Sequence, residues 1–440
     1  LHLLIASCVF YCAFIPVYIL ILAGTIVVDY WAGIFLERTT DHRRKKRYLI
    51  ASIVANVGVL AVFKYYNFLN ENLSALLGVI HVKNDLPFLQ ILLPIGLSFH
   101  TFQAMSYTIE VYRGKQRAEK HFGIYALYVM FYPQLVAGPI ERPQNILHQL
   151  KEVHFFEYNR IVSGLKLILW GLFMKVVIAD RLAIYVDIIY HDPQHHSALS
   201  SLVATLFFTF QIYGDFAGYS GIALGCARVL GIELMMNFRR PYLSFSIREF
   251  WSRWHISLST WFRDYLYFPL GGNRVSVSRN LFNLFFVFLV SGLWHGANWT
   301  FIIWGALNGS YLMLELAATR LFPTLFLPSW MRWLLNFFLV MLAWVFFRAA
   351  DVQQALLVLK NIFTWKPGPL YIGNASYFVY GVLLILFLLL SELNTEYFNQ
   401  RYSLIMHPQR WVRWSGYLLL VLTILTIGVL NGGQFIYFQF

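Results

Sequence analysis

The sequence predicts an all-α, polytopic membrane protein, and three observations carry that prediction. Of its 440 residues, 59% are hydrophobic and only 12% are charged, about half the charged fraction of an ordinary soluble chain. Apolar runs recur from end to end, enough for about ten to twelve transmembrane or re-entrant helices. Ionisable side chains inside those runs are so sparse that each stands out, and in a bilayer such positions are functional by default. No internal repeat, low-complexity tract or polar domain interrupts the pattern, so residues 1–440 read as a single membrane-embedded domain.

The net charge of +13, from 34 basic and 21 acidic residues, does not point to nucleic acid in so apolar a chain. It is the excess of Lys and Arg expected in cytoplasmic loops. Cys8, Cys12 and Cys226 all lie in apolar stretches, with no metal-ligand or disulfide spacing.

Leu3 to Val28 is the first apolar run, and Pro16 predicts a break within it. The chain starts without methionine and already inside an apolar run, so a further helix is expected before Leu1. The dense basic stretch Arg43 to Arg47 places the next loop in the cytoplasm. Tyr48–Phe63 returns across, then Leu89–Tyr107, where Pro94 and Gly96 suggest a broken helix, then Phe122–Ala137, which ends in Gly138-Pro139. Ile161–Ala179, Leu199–Tyr213 and Ala217–Leu230 read as three more helices; Trp330–Phe347, Phe378–Leu390 and Trp414–Leu430 complete the set. His191, Asp192, His195 and His196 lie together in a short loop without helical ligand spacing, so no metal site is expected there.

Leu281 to Ser310 is the stretch around which the rest is organised: strongly apolar on both sides of one ionisable group, His295. Histidine gives or takes a proton near neutrality, and Gly292 and Gly296 would let a substrate or another backbone come close to it. A packing histidine bonded to a neighbouring carbonyl is the alternative. In Ile247–Tyr267, helical spacing would align Arg248, Ser252, His255, Ser259 and Arg263 as one polar stripe beside an aromatic one. That suits a re-entrant helix, the wall of a polar cavity, or a surface helix. Asp215, between two apolar runs, is placed to orient a histidine, to pair with an arginine, or to cap a helix. Asn298 stands three residues after His295, and Trp294 immediately before it.

These motifs resemble the membrane-bound O-acyltransferases, in particular the branch of bacterial alginate O-acetylases and related polysaccharide or peptidoglycan O-acetylation proteins. The stretches that carry the resemblance are QLVAGPIERP (134–143), GDFAGYSGIALG (214–225), PYLSFSIREFWSRWHISLSTWFRDYLYFPLGGNR (241–274), SGLWHGANWTFIIWGALNG (291–309) and the tail FIYFQF (435–440). Gly221 departs from it, standing where many relatives place an acid, which would leave Asp215 to serve alone.

The resemblance implies tilted helices around a tunnel through the membrane, with His295 at its narrowest point and His255 as a second catalytic histidine. Asn298, Asp215, Trp294, Arg248, Ser252 and Arg263 are the expected supporting or tunnel-lining residues. It implies acetyl-CoA as a donor substrate, no permanently bound cofactor and no metal. The expected setting is the bacterial inner membrane, with an extracytoplasmic acetylesterase-like partner and a polysaccharide acceptor. On this reading His295 is the general base on the attacking hydroxyl, while His255 or Asn298 polarises the thioester carbonyl. The rival class is a transporter or channel with both histidines as proton relays.

Overall fold

The computed structural model describes residues 1–90, 93–136, 138–322, 327–430 and 435–436. Among the described residues every regular element is a helix. In chain order these are α1 (His2–Cys12), α2 (Ile19–Arg38), α3 (His42–Leu60), α4 (Tyr66–Val79), α5 (Leu97–Tyr112), α6 (Phe122–Met130), α7 (Tyr132–Leu135), α8 (Pro143–Ile146), α9 (Tyr158–Leu172) and α10 (Asp180–His191). There follow α11 (Ala198–Val229), α12 (Ile247–Arg253), α13 (Ile256–Phe262), α14 (Val277–His295), α15 (Trp299–Leu321), α16 (Ser329–Arg348), α17 (Val352–Phe363), α18 (Ala375–Tyr397) and α19 (Arg410–Ile427). Among the described residues, eight helical segments are long and apolar enough to cross a membrane: Pro16–Arg38, His42–Val79, Tyr158–His191, α14, α15, α16, α18 and α19. The chain is therefore an all-α, multi-pass membrane protein.

Two compact units take up the chain, where the sequence showed no internal boundary. One comprises Leu1–Leu165 with Ala223–Met235, the other Lys166–Ile222 with Met236–Phe440.

In the first unit Pro16 does break the opening run: α1 ends at Cys12, and α2 begins after a short 3-10 turn. The core pairs α2 with α3 and α5 around a buried polar seam. Asp29 accepts from Ser52 Oγ at 2.5 Å and Asn56 Nδ2 at 2.8 Å, and Thr25 hydrogen-bonds His100 at 2.8 Å. Buried polar groups in such a setting must find one another, since no water or lipid group competes for them. Two expected crossings are shorter than predicted. The helix at Leu89–Tyr107 starts only at Leu97, because Gly96 turns with φ +74°; Ile91 and Leu92 lie outside the described residues. Phe122–Ala137 is interrupted at the non-helical Phe131, before Pro133, giving α6 and α7; Ala137 lies outside the described residues.

In the second unit two further expectations are corrected. Leu199–Tyr213 and Ala217–Leu230 are a single helix, α11, of 32 residues. Gly214 and Gly218 mark close packing rather than a turn: a Cβ on Gly218 would meet Gly171 O and Lys175 N. Asp215 thus stands inside a helix and caps nothing. The stretch Leu281–Ser310 is, conversely, two helices: α14 ends at His295, and α15 starts after Gly296-Ala297-Asn298. Gly292 and Gly305 let these two backbones touch, since a Cβ on either would lie 3.1 Å from the other's Cα. The backbone that approaches beside His295 is that of α15.

Candidate active site

His295 owes its position to the turn between α14 and α15. Gly296 is extended (φ −161°, ψ 149°) and ends α14, and the Phe301 ring fills the space a Cβ there would need. Asn298 caps α15, its Oδ1 accepting from Thr300 N at 3.0 Å, while its Nδ2 donates to Ala350 O at 2.9 Å. Both ends of that amide are committed to holding the turn. The imidazole of His295 is 4% exposed and lies among aromatic rings, with centroids at 4.9 Å for Trp294, 5.0 Å for Trp304 and 5.3 Å for Phe347.

His255 reaches the same place by a different route. The single helix expected over Ile247–Tyr267 is broken at Trp254 and His255, and His255 is left-handed (φ 42°, ψ 55°). No Pro or Gly causes this. The backbone groups freed by the break are taken up by the segment 237–239: Arg239 N donates to Arg253 O, and Ile256 N to Asn237 O, each at 2.9 Å. Asn237 adds its side chain, Oδ1 accepting from Ser257 Oγ at 2.6 Å and Ser257 N at 3.3 Å, while Nδ2 reaches Ser220 Oγ at 3.3 Å. A left-handed residue other than glycine costs about 1–2 kcal/mol, and these bonds hold it. α12 enters beside Glu315 of α15, which accepts from Ile247 N at 2.6 Å, and carries Trp251 down to Trp304, centroids 5.7 Å apart. It is the first arm of a helix-turn-helix whose bend is His255.

At that bend His255 is 1% exposed. Phe216 stands edge-on to it at 4.7 Å, Trp294 lies at 6.2 Å, and His295 at 6.5 Å with ring planes inclined by 59°. Two histidines from separate motifs thus converge in an aromatic enclosure. A profile of the MBOAT, membrane-bound O-acyltransferase family, matches residues 53–350, which include both.

The chain belongs to the membrane-bound O-acyltransferase family. Its relatives agree. It is 38% identical over 408 residues to the probable alginate O-acetylase AlgI of Pseudomonas aeruginosa, covering 91% of this chain and 77% of that protein. It is 35% identical to the protein of the same name from Pseudomonas putida, over 100% of this chain and 94% of that one. To the peptidoglycan O-acetyltransferase of Helicobacter pylori it is 37% identical, covering 82% and 73% respectively. The protein is an O-acyltransferase.

Not every residue read from the sequence joins the two histidines of this acyltransferase. The break at His255 dismantles the polar stripe, leaving Arg248, Ser252 and Arg263 exposed. Ser252 donates to Glu249 O at 2.7 Å, and Arg263 pairs with Asp264 at 2.9 Å. The arginine that is buried is Arg253, held by Glu249 at 2.7 Å and Glu396 at 2.9 Å. Asp215 orients no histidine directly and pairs with no arginine; its partner is Lys175 at 2.5 Å. Trp294 does line the site, its ring beside both imidazoles.

Among the described residues no group of three His, Cys, Asp or Glu side chains is arranged to hold a metal. His195 hydrogen-bonds Asp192 at 2.6 Å in its exposed loop, and that bond holds the Asp192 carboxyl below its ordinary pKa. Two residues that matter were not singled out in the sequence. Lys175 was legible as one of two lysines, with Lys166, in the apolar run Ile161–Ala179. Asn237 carried no signal at all.

Proposed function

We propose that this acyltransferase moves an acetyl group from acetyl-CoA, bound from the cytoplasm, to a hydroxyl presented on the extracytoplasmic side of a bacterial inner membrane. The observation that carries the reading is the convergence of His255 and His295, both buried, at 6.5 Å. His295 removes the proton of the attacking hydroxyl as its oxygen bonds to the thioester carbonyl carbon. His255 donates a hydrogen bond to the oxyanion that forms. Collapse expels the CoA thiolate, which takes the proton back from His295, so the step balances without a further reactant. Asn298, whose amide is engaged in the turn, keeps His295 in place, and the aromatic enclosure excludes water that would hydrolyse the thioester.

The names of the relatives, alginate O-acetylase and peptidoglycan O-acetyltransferase, support a cell-surface polysaccharide such as alginate as final acceptor. An extracytoplasmic, acetylesterase-like protein would relay the group to it. Helix direction supports the sidedness. Arg274, Arg279, Arg320 and Arg332 gather at the ends of α14, α15 and α16 remote from His295, where the positive-inside rule places the cytoplasm.

The test is direct. Purified protein in detergent or nanodiscs should release free CoA from acetyl-CoA when an acceptor hydroxyl is supplied, and His295→Ala should not. Acetyl-CoA left intact by the wild type under those conditions would remove the reading.

A further inference from the structure

The chemistry proposed above makes no use of a buried charge cluster that lies behind His255. Lys175 Nζ stands 2.7 Å from Asp180 Oδ1 and 2.5 Å from Asp215 Oδ1. Asp215 is 3% exposed, and a charge buried in a membrane protein is costly unless it is paired. Its other oxygen, Oδ2, accepts from the backbone N–H of Ile436 at 2.8 Å. A carboxylate inside α11 therefore holds a residue that follows α19.

The chain at the end of α19 is held as well. Phe173–Ala179, between α9 and α10, is a π-helical stretch, a geometry that disturbs the regular i→i−4 ladder and recurs at functional sites. Val176 O in that stretch accepts from Val429 N at 2.9 Å, and the Arg181 guanidinium donates to Ile427 O, at the end of α19. Beside Ile436, Phe435 is buried. Its ring stacks on Tyr219 at 4.8 Å and meets Phe216 edge-on at 5.8 Å. Phe216 is the ring that stands against His255 at 4.7 Å. An unbroken line of contacts thus runs from Lys175 through Asp215, Ile436 and Phe435 to Phe216 and the imidazole.

We propose that Asp215, charged and oriented by Lys175, is a positioning residue for His255: it clasps the Phe435-Ile436 segment, whose ring backs the Phe216 wall of the active site. The assignment of His255 rests on the function proposed above; the clasp itself does not. The competing account is that the Lys175–Asp215 pair only staples α11 to the stretch before α10. In that case Phe435 would be indifferent to it.

Two measurements on the full chain separate these accounts, with Cys8, Cys12 and Cys226 replaced by alanine. In the first, Phe435→Cys is exposed to a membrane-permeant maleimide. Labelling should be slow with Asp215 intact and about tenfold faster with Asp215→Leu, a change that needs only a modest shift in the closed population. A second background carries Ile436→Pro, which removes the one N–H that Asp215 Oδ2 accepts while leaving the ion pair untouched. Ile436→Pro should raise Phe435→Cys labelling to the same degree, and it keeps the test open should Asp215→Leu fail to fold. Equal protection in all backgrounds would overturn the clasp.

In the second measurement, acyl transfer is followed in Asp215→Leu, Phe435→Ala and the double variant. Each single change should lower kcat with the KM for acetyl-CoA unchanged, and the double variant should be no slower than the slower single. Multiplying effects would mean that Asp215 acts independently of Phe435 and would overturn the positioning role. Should wild type transfer no acetyl at all, the proposed function falls, while the labelling result still decides the clasp.

Discussion

His255 and His295 stand 6.5 Å apart, ring centroid to ring centroid, although one sits at the break between two short helices and the other ends a helix long enough to cross a membrane. The two are nonetheless supported differently. His295 is packed by Trp294, Trp304 and Phe347 on or beside the α14–α15 hairpin. His255 depends on a left-handed backbone held by Asn237.

Replacing His295 should be the most damaging change. His295→Ala should lower acetyl transfer by about a hundred- to ten-thousand-fold, the usual contribution of a general base, with expression and membrane insertion intact. His295→Gln should be equally inactive, because glutamine cannot take the proton. An active His295→Gln protein in a CoA-release assay would refute the base assignment.

His255 should tolerate substitution better. His255→Ala should cost about a hundred- to a thousand-fold in kcat, as the loss of an oxyanion donor does. His255→Gln still offers an N–H and should recover about tenfold of that loss. Equal rates for the two variants would argue against a hydrogen-bonding role.

Asn237 should act through His255 rather than on substrate. Asn237→Ala leaves the Ser257 N–H and hydroxyl, both bonded to its Oδ1, without that acceptor, at a cost of about 1–3 kcal/mol. A fall in kcat is expected with the KM for acetyl-CoA unchanged, together with a lower melting temperature. Unaltered kcat in a destabilised protein would assign Asn237 to stability alone.

Topology is open to cysteine labelling of intact cells in the same cysteine-free background. Asp351, exposed at the His295 end of α16, should label from outside as Asp351→Cys, whereas Arg274→Cys and Arg44→Cys should resist an impermeant reagent. The reverse pattern would invert the proposed direction of transfer.

Glu141, in the GPIERP motif, should make stability depend on pH. It is buried in the first unit, accepting from Met235 N and, at 3.3 Å, from Asn145 Nδ2, and burial raises its pKa from 4.5 to about 7. A carboxyl whose folded pKa is raised makes the folded state bind more protons, so stability should fall as pH rises from 4.5 to about 7, then level off. Glu141→Gln should make that fall shallower and be more stable than wild type at its upper end, by thermal melting in detergent.

Sequence alone determined the class of this protein and several of its boundaries. Low charge and recurring apolar runs leave no other solution than helices in a bilayer. α16 falls within a residue of its predicted run at each end, α18 and α19 overlap theirs, and Pro16 breaks the chain because a ring without an N–H must. His295 was legible because an ionisable group in an apolar stretch needs a reason. Tertiary structure alone decided the rest. Ile247–Tyr267 contains neither Pro nor Gly and keeps helical spacing, so nothing local marks the break at His255; Asn237, distant in sequence, supplies the hydrogen bonds that make it cheaper than a continuous helix. Gly214 and Gly218 look like the signature of a turn, yet α11 runs through them, because their missing side chains let α11 close on the stretch around Gly171 to Lys175. That a lysine in an apolar run needs a counter-charge could be read from position 175. That the counter-charge is Asp215, and that its second oxygen holds Ile436, follows only from helices brought together in space, since pairing between distant segments is decided by packing rather than by local pattern.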